Sequence, residues 1–188
     1  SDRNGKALIK KIEKKTGIRI DLIEGKEEAG ILYGNHIEKL PNKEGTFMYV
    51  DVGGGSTEIT LIHQGRLVGS MSYNIGTIRL LNRAVKDGIV DGLKADMAGM
   101  YANYGPINII GSGGNINKLF RLAEEKSKKE LKLPITSLRS LHNDLQPLSV
   151  EERMDRFGLK PDRADVIVPA AEIFLIIADC IHSDYVYV

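Results

Sequence analysis

The sequence predicts an α/β protein, a mixed five-stranded sheet flanked by helices, and three stretches carry that prediction. Phe47-Met48-Tyr49-Val50 is a short apolar run of strand character. Past a run of glycines, Ile59, Leu61 and His63 alternate with Thr60, Ile62 and Gln64, the period-two pattern of a second strand. Gln64-Gly65 then makes a hairpin turn into Arg66–Asn74, so the second and third strands are antiparallel neighbours. Further on, Ile107-Asn108-Ile109-Ile110 runs straight into Gly111-Ser112-Gly113-Gly114-Asn115 and a helix striped by Ile116, Leu119, Phe120 and Ala123. Strands joined through helices pair in parallel, which makes the sheet mixed.

The remaining elements follow in order. Residues 1–17 predict a helix with Leu8, Ile9 and Ile12 as its apolar stripe, lysines elsewhere and Thr16-Gly17 at its end. Ile18, Ile20 and Leu22 alternate as a strand, and Ile23-Glu24-Gly25 turns out of it. Lys26-Glu27-Glu28-Ala29 opens a helix carrying Ala29, Leu32, Tyr33, His36 and Ile37 at helical spacing. Acids at a helix start are ordinary, because the N-terminal dipole favours them. Gly76-Thr77 opens a helix to about Lys86, Asp87–Gly92 breaks it, and 93–103 is helical again. Pro134-Ile135-Thr136 is extended and Ser137 caps a helix to about Leu145. Ser149 with Glu152 is a capping box. Pro161 fits the first turn of a long buried helix to about His182, and Tyr185–Val188 is the closing strand.

Composition bounds the function. A formal net charge of +1 offers no global attraction for nucleic acid. The single cysteine, Cys180, excludes an internal disulfide framework and fits a reducing compartment, so a cytoplasmic location is expected. The most apolar run, 166–181, contains Pro169, Glu172 and Asp179 and is too short and interrupted to span a bilayer, so no membrane partner is expected. The N-terminus opens polar and charged, without the pattern of a signal peptide. His36, His63, His142 and His182 show no metal-ligand spacing.

The chemistry is concentrated in Asp51-Val52-Gly53-Gly54-Gly55-Ser56-Thr57-Glu58. Consecutive glycines permit a sharp turn and leave N–H groups bare enough to line an anion. Asp51 at a strand end could hold a hard cation such as Mg²⁺ beside that anion. A flexible hairpin is the bland alternative. The flanking acids and Ser56-Thr57 favour a phosphate-binding turn.

Four stretches resemble the Ppx/GppA (exopolyphosphatase/guanosine pentaphosphatase) family. Residues Ile23 to Ala29 resemble its "I-S-G-x-E-E-A", and Asp51 to Glu58 its "D-I-G-G-G-S-T-E". Gly111-Ser112-Gly113-Gly114 resembles its "G-x-G-G-T", with Asn115 in place of threonine, and Gly158 to Ile167 its "G-L-x-P-x-R-A-D-V-I". Nothing here resembles the "D-x-G-S-N-S" loop of the family's first lobe. The resemblance therefore implies a ribonuclease-H-like lobe of the actin/hexokinase type: residues 47–188 as the second lobe, and 1–46 linking from a missing first lobe.

The resemblance further implies a phosphohydrolase acting on polyphosphate or guanosine pentaphosphate with Mg²⁺, inactive as a single lobe and a possible homodimer in its complete form. It implies Glu28 as the residue activating water, Asp51 and Glu58 at the metal, and Gly53, Gly54, Gly55 and Ser56 on phosphate. Gly113 and Gly114 would lie where a base or ribose packs. A non-catalytic module sensing phosphorylated guanosine nucleotides is the alternative, and a kinase of sugar or acetate type a third. Arg163 and Asp165 are expected as a structural pair at a helix N-terminus. Arg79 either reaches phosphate or faces solvent, and Cys180 is inert core.

Overall fold

The computed structural model describes residues 2–19 and 44–188. The expected helix with Glu27 and Glu28, and all but the start of the strand expected at Ile18, lie outside the described residues. The first helix, α1 (Asp2–Thr16), ends where Gly17 turns left-handed at φ +71°.

From Thr46 the chain builds one sheet. Strand β1 (Thr46–Val52) pairs antiparallel with β2 (Thr57–His63), and β2 with β3 (Arg66–Tyr73). Gln64 and Gly65 both take positive φ, +50° and +70°, the twist a two-residue hairpin needs. Strand β4 (Ile107–Ser112) lies parallel to β1 on its other side, and β6 (Tyr185–Tyr187) parallel to β4. A short β5 (Lys132–Pro134) closes that edge antiparallel to β6, giving the order β3-β2-β1-β4-β6-β5. The sheet is thus mixed and helix-flanked as expected, with six strands rather than five. Strand β5 is three residues long, and its pattern alone does not distinguish it from a loop.

Helices cover one face. Met48, Val50 and Val52 of β1, Ile59 and Leu61 of β2, and Ile107 and Ile109 of β4 point into a single core. Against them pack α3 (Ile89–Tyr104), α4 (Gly114–Leu122), α5 (Ile135–Leu145) and α8 (Ile167–Cys180). The opposite face carries a smaller cluster of Phe47, Tyr49 and Ile62. At the β1 start, the Thr46 hydroxyl donates to the Tyr104 carbonyl at 2.7 Å and lies 2.8 Å from His63 Nδ1, fastening strand to helix.

Several helix boundaries differ from expectation for identifiable reasons. Helix α2 (Thr77–Leu81) stops well before Lys86, because Arg83 takes φ +51° and a Schellman pair closes the end: Arg83 N–H to Leu80 O and Ala84 N–H to Arg79 O. Helix α3 starts at Ile89, so Gly92 lies inside it rather than in a break. Ser137 is no cap. Helix α5 begins at Ile135, whose N–H is satisfied by the Asp184 carbonyl, and Ser137 is buried within the first turn.

The expected long helix from Pro161 is two. A short α7 (Pro161–Ala164) precedes α8, and the join falls at Asp165-Val166. Pro169 explains it: its ring excludes a helical carbonyl four residues back, at Asp165, and it has no N–H to offer. The capping box of α6 (Val150–Phe157) is as expected, with Glu152 N–H on Ser149 Oγ at 3.1 Å and Ser149 N–H on Glu152 Oε2 at 2.8 Å. Arg153 of this helix donates to the carbonyls of Leu145, Gln146 and Ala164, tying α5, α6 and α7 together.

Candidate functional site

The β1–β2 turn lies at the carboxyl end of β1, beside the carboxyl end of its parallel neighbour β4. In open α/β sheets that is the end where ligands collect. Strand register places four polar residues in one row across it: Ser112 of β4 opposite Asp51, Asp51 opposite Glu58, and Glu58 opposite Ser72 of β3. All four are on the face away from the helices, since Val50 and Val52 on either side of Asp51 point into the core.

The turn is closed by Gly53 N–H on Ser56 O at 2.9 Å, so Gly53, expected among the phosphate-binding residues, spends its N–H inside the turn and leaves that task to its neighbours. Its carbonyls are all engaged from one side. Thr77 N–H donates to Gly53 O, Ile78 and Arg79 N–H donate to Gly54 O, and Arg79 Nε donates to Gly55 O. Gly76 permits this, because a Cβ there would lie 2.5 Å from Gly54 O. The N–H groups of Gly54, Gly55 and Ser56 have no acceptor among the described residues. Successive unengaged N–H groups on a turn whose carbonyls are tied back form an anion-binding concavity.

Two carboxylates flank it. Ser56 Oγ donates to Glu58 Oε1 at 2.6 Å and Ser72 Oγ to the same oxygen at 3.2 Å, leaving Oε2 without a donor among the described residues. Asp51 likewise receives no hydrogen bond among them. Like charges directly opposite across a strand pair repel, so Asp51 and Glu58 are a costly arrangement unless a cation answers them. Two carboxylates with free hard oxygens beside an anion pocket suit Mg²⁺, which takes one or two carboxylates and completes its shell with water and phosphate. Among the described residues no group of three or more His, Cys, Asp or Glu side chains gathers as an all-protein metal cage.

The β4–α4 turn is built differently. Gly113 has φ +92°, and a Cβ there would sit 2.9 Å from Asp51 Oδ1. A Cβ on Gly114 would sit 2.8 Å from the Arg163 guanidinium. Asn115 is buried and joins the two turns: its Nδ2 donates to Val52 O at 3.0 Å, while its Oδ1 accepts from Arg163 Nη1 at 2.9 Å. Arg163 is therefore bound to Asn115 and lies 3.9 Å from Asp162, and the expected pairing with Asp165 is replaced by these contacts. Asp165 instead sits in the field of Arg153, whose guanidinium pKa is lowered by burial and partly restored by that carboxylate.

Beside Ser112 and Gly113, a cleft of about 660 Å³ is lined by Phe47, Tyr49, Ile110 and Tyr187, with Lys132 and Glu130 among its polar groups. Burial pushes the Tyr49 phenol up to about 12, so it is neutral at ordinary pH. Burial also raises the Cys180 thiol, in keeping with an unreactive side chain. Thus Asp51, Gly53, Gly54, Gly55, Ser56, Glu58, Gly113 and Gly114 converge on one end of the sheet, while Glu28 lies outside the described residues. Ser72, Gly76 and the Asn115–Arg163 link come from elsewhere in the chain. The substitution of asparagine within the glycine stretch was their one local signal.

Comparison with known proteins agrees with this architecture. A sequence model of the Ppx/GppA phosphatase family matches residues 2–188. The chain is 24% identical to a bifunctional 3-dehydroquinate synthase/phosphatase of Fusobacterium nucleatum, over 96% of this chain and 30% of that protein. It is 23% identical to a guanosine-5'-triphosphate,3'-diphosphate pyrophosphatase of Aliivibrio fischeri, over 94% of this chain and 38% of that protein. The chain thus spans well under two thirds of these relatives. An exopolyphosphatase structure from Cytophaga hutchinsonii superimposes with a TM-score of 0.79 at 20% identity, covering 98% of this chain and 65% of that one. A Ppx/GppA phosphatase structure from Aquifex aeolicus gives 0.72 at 21%, covering 98% and 66%.

Proposed function

The chain belongs to the Ppx/GppA phosphatase family, and from that premise we propose that it is the second lobe of a phosphoanhydride hydrolase that releases terminal phosphate from polyphosphate or guanosine pentaphosphate. The observation that carries this reading is the turn at Gly53–Ser56, whose carbonyls are tied back while three N–H groups are left for an anion beside two unsaturated carboxylates. Transfer of a phosphoryl group to water asks for positioning and charge neutralisation far more than for covalent chemistry.

In this reading the N–H groups of Gly54, Gly55 and Ser56 hold phosphate oxygens as donors fixed before substrate arrives. Asp51 and Glu58 hold Mg²⁺ or its water shell, with Ser56 and Ser72 fixing the Glu58 carboxylate. The bound cation supplies neutralisation of charge on the phosphates. Glu28 orients or deprotonates the attacking water. The second half of the phosphate grip comes from a first lobe, and the full-length protein is expected to be a cytoplasmic homodimer.

A second reading, a nucleotide-sensing module without turnover, is favoured by the cleft next to Gly113, where the half-buried ring of Tyr187 is placed to stack on a base. Phosphate release by the full-length gene product separates the two. Turnover of polyphosphate or guanosine pentaphosphate is expected, with the isolated chain inactive. In the full-length protein Glu28→Ala is expected to slow turnover by ~10²–10⁴-fold. Nucleotide-induced thermal stabilisation with no phosphate release would decide for the sensor, and robust turnover by the isolated chain would remove the two-lobe requirement.

A further inference from the structure

We infer that Arg79 is a phosphate-binding residue of this site, holding the turn with one nitrogen and offering its charge to the anion with the others; this rests on the reading of Gly53–Ser56 as a phosphate turn. Three observations carry it. Arg79 Nε donates to Gly55 O, which places the guanidinium against the turn itself. A guanidinium has five N–H donors, and among the described residues none of the other four has a protein acceptor. No carboxylate pairs with Arg79 among those residues either, whereas the nearby Arg163 is bound to Asn115 and lies against Asp162.

The site also needs such a charge. Its described acidic groups, Asp51 and Glu58, would repel a polyphosphate chain, and a single divalent ion only balances those two carboxylates. A cation fixed against the turn supplies the surplus positive charge. Arginine suits the task because its planar fork can keep one N–H on a carbonyl while others meet phosphate oxygens, which a lysine ammonium cannot reproduce in the same geometry. The same hydrogen bond holds the Gly55 carbonyl, so the side chain shapes the turn as well as charging it.

The test is calorimetric titration of inorganic tripolyphosphate into the full-length gene product with Mg²⁺ present, at low and moderate ionic strength. Wild-type, Arg79→Gln and Arg79→Lys proteins are compared, with melting curves as a check on folding. Arg79→Gln is expected to weaken binding by about 10–100-fold, the loss typical of a charge-assisted hydrogen bond. Its affinity should also depend less steeply on salt, because one charge contact is gone. Arg79→Lys should lose less affinity and keep the wild-type salt dependence.

Unchanged affinity in Arg79→Gln would overturn the inference, as would equal losses in both variants with unaltered salt dependence, which would make Arg79 a clamp alone. Wild-type protein that does not bind tripolyphosphate would overturn it too. Should Arg79→Gln fail to fold, Arg79→Leu is measured in its place and read in the same way: weaker binding with a shallower salt dependence supports the inference, and unchanged affinity sinks it. Wild-type protein that binds tripolyphosphate yet releases no phosphate from any substrate would end the hydrolase reading and leave Arg79 in place.

Discussion

At the Gly53–Ser56 turn, glycine keeps space on the side where the protein binds its own backbone: Gly76 and the start of α2 lie against the turn's carbonyls. At the Gly113-Gly114 turn, space is kept for the protein's side chains, Asp51 over the first glycine and Arg163 over the second. One turn is thereby left with N–H groups unengaged among the described residues, and the other is filled by residues from distant elements. Both read as glycine-rich loops at strand ends. Only the three-dimensional neighbours distinguish a turn shaped to receive an anion from one shaped to seat a carboxylate and a guanidinium. The ligand role that the resemblance implies for Gly113 and Gly114 therefore competes with a packing role visible in the structure.

The comparison can be broken most directly at Gly76. A Cβ 2.5 Å from the Gly54 carbonyl has no flexible neighbour to displace, so Gly76→Ala should destabilise the fold by about 1–3 kcal/mol, as overpacking does, and release the turn. Urea unfolding would register the loss, and tripolyphosphate affinity should fall with it.

Gly113→Ala should come next. A left-handed φ of +92° penalises any side chain, and the methyl meets Asp51 Oδ1, so a cost of about 1–3 kcal/mol is expected together with weaker Mg²⁺-dependent binding. Wild-type stability with wild-type Mg²⁺ response would show that Asp51 has no need of this glycine.

Gly55→Ala should matter least to folding. Nothing lies within 4 Å of a Cβ there, its φ is not in the left-handed region, and the N–H is kept, so stability should stay within about 0.5 kcal/mol. A large destabilisation would mean that the turn, and not its neighbours, stores the strain.

Much of this was legible along the chain because the signals are local. Gln64-Gly65 specified the hairpin, Ser149 with Glu152 the capping box, and the alternation after Glu58 the second strand. The candidate carboxylates and the first glycine turn were legible for the same reason, lying within eight consecutive residues. What escaped depends on partners far away in sequence. Strand β5 exists through its register with β6, and Ile135 starts a helix because the Asp184 carbonyl is waiting for it. Ser72 joins the polar row only once β3 pairs with β2, and Arg163 meets Asn115 across 48 residues. The break before α8 was legible in principle, since Pro169 stood in the sequence with its steric demand intact.

The fastening at the other end of the sheet fixes the position of a proton. A hydroxyl has one hydrogen, and Thr46 gives it to the Tyr104 carbonyl, so the contact with His63 is made by a hydrogen on the ring. Neutral His63 must then be the Nδ1–H tautomer, with Nε2 as its bare nitrogen. Nitrogen-15 chemical shifts of the imidazole should show a protonated Nδ1 and a basic-type Nε2, and Thr46→Val should abolish the preference. His63 thereby becomes a spectroscopic marker, carried by the native chain, for whether the first strand remains fastened to the end of α3.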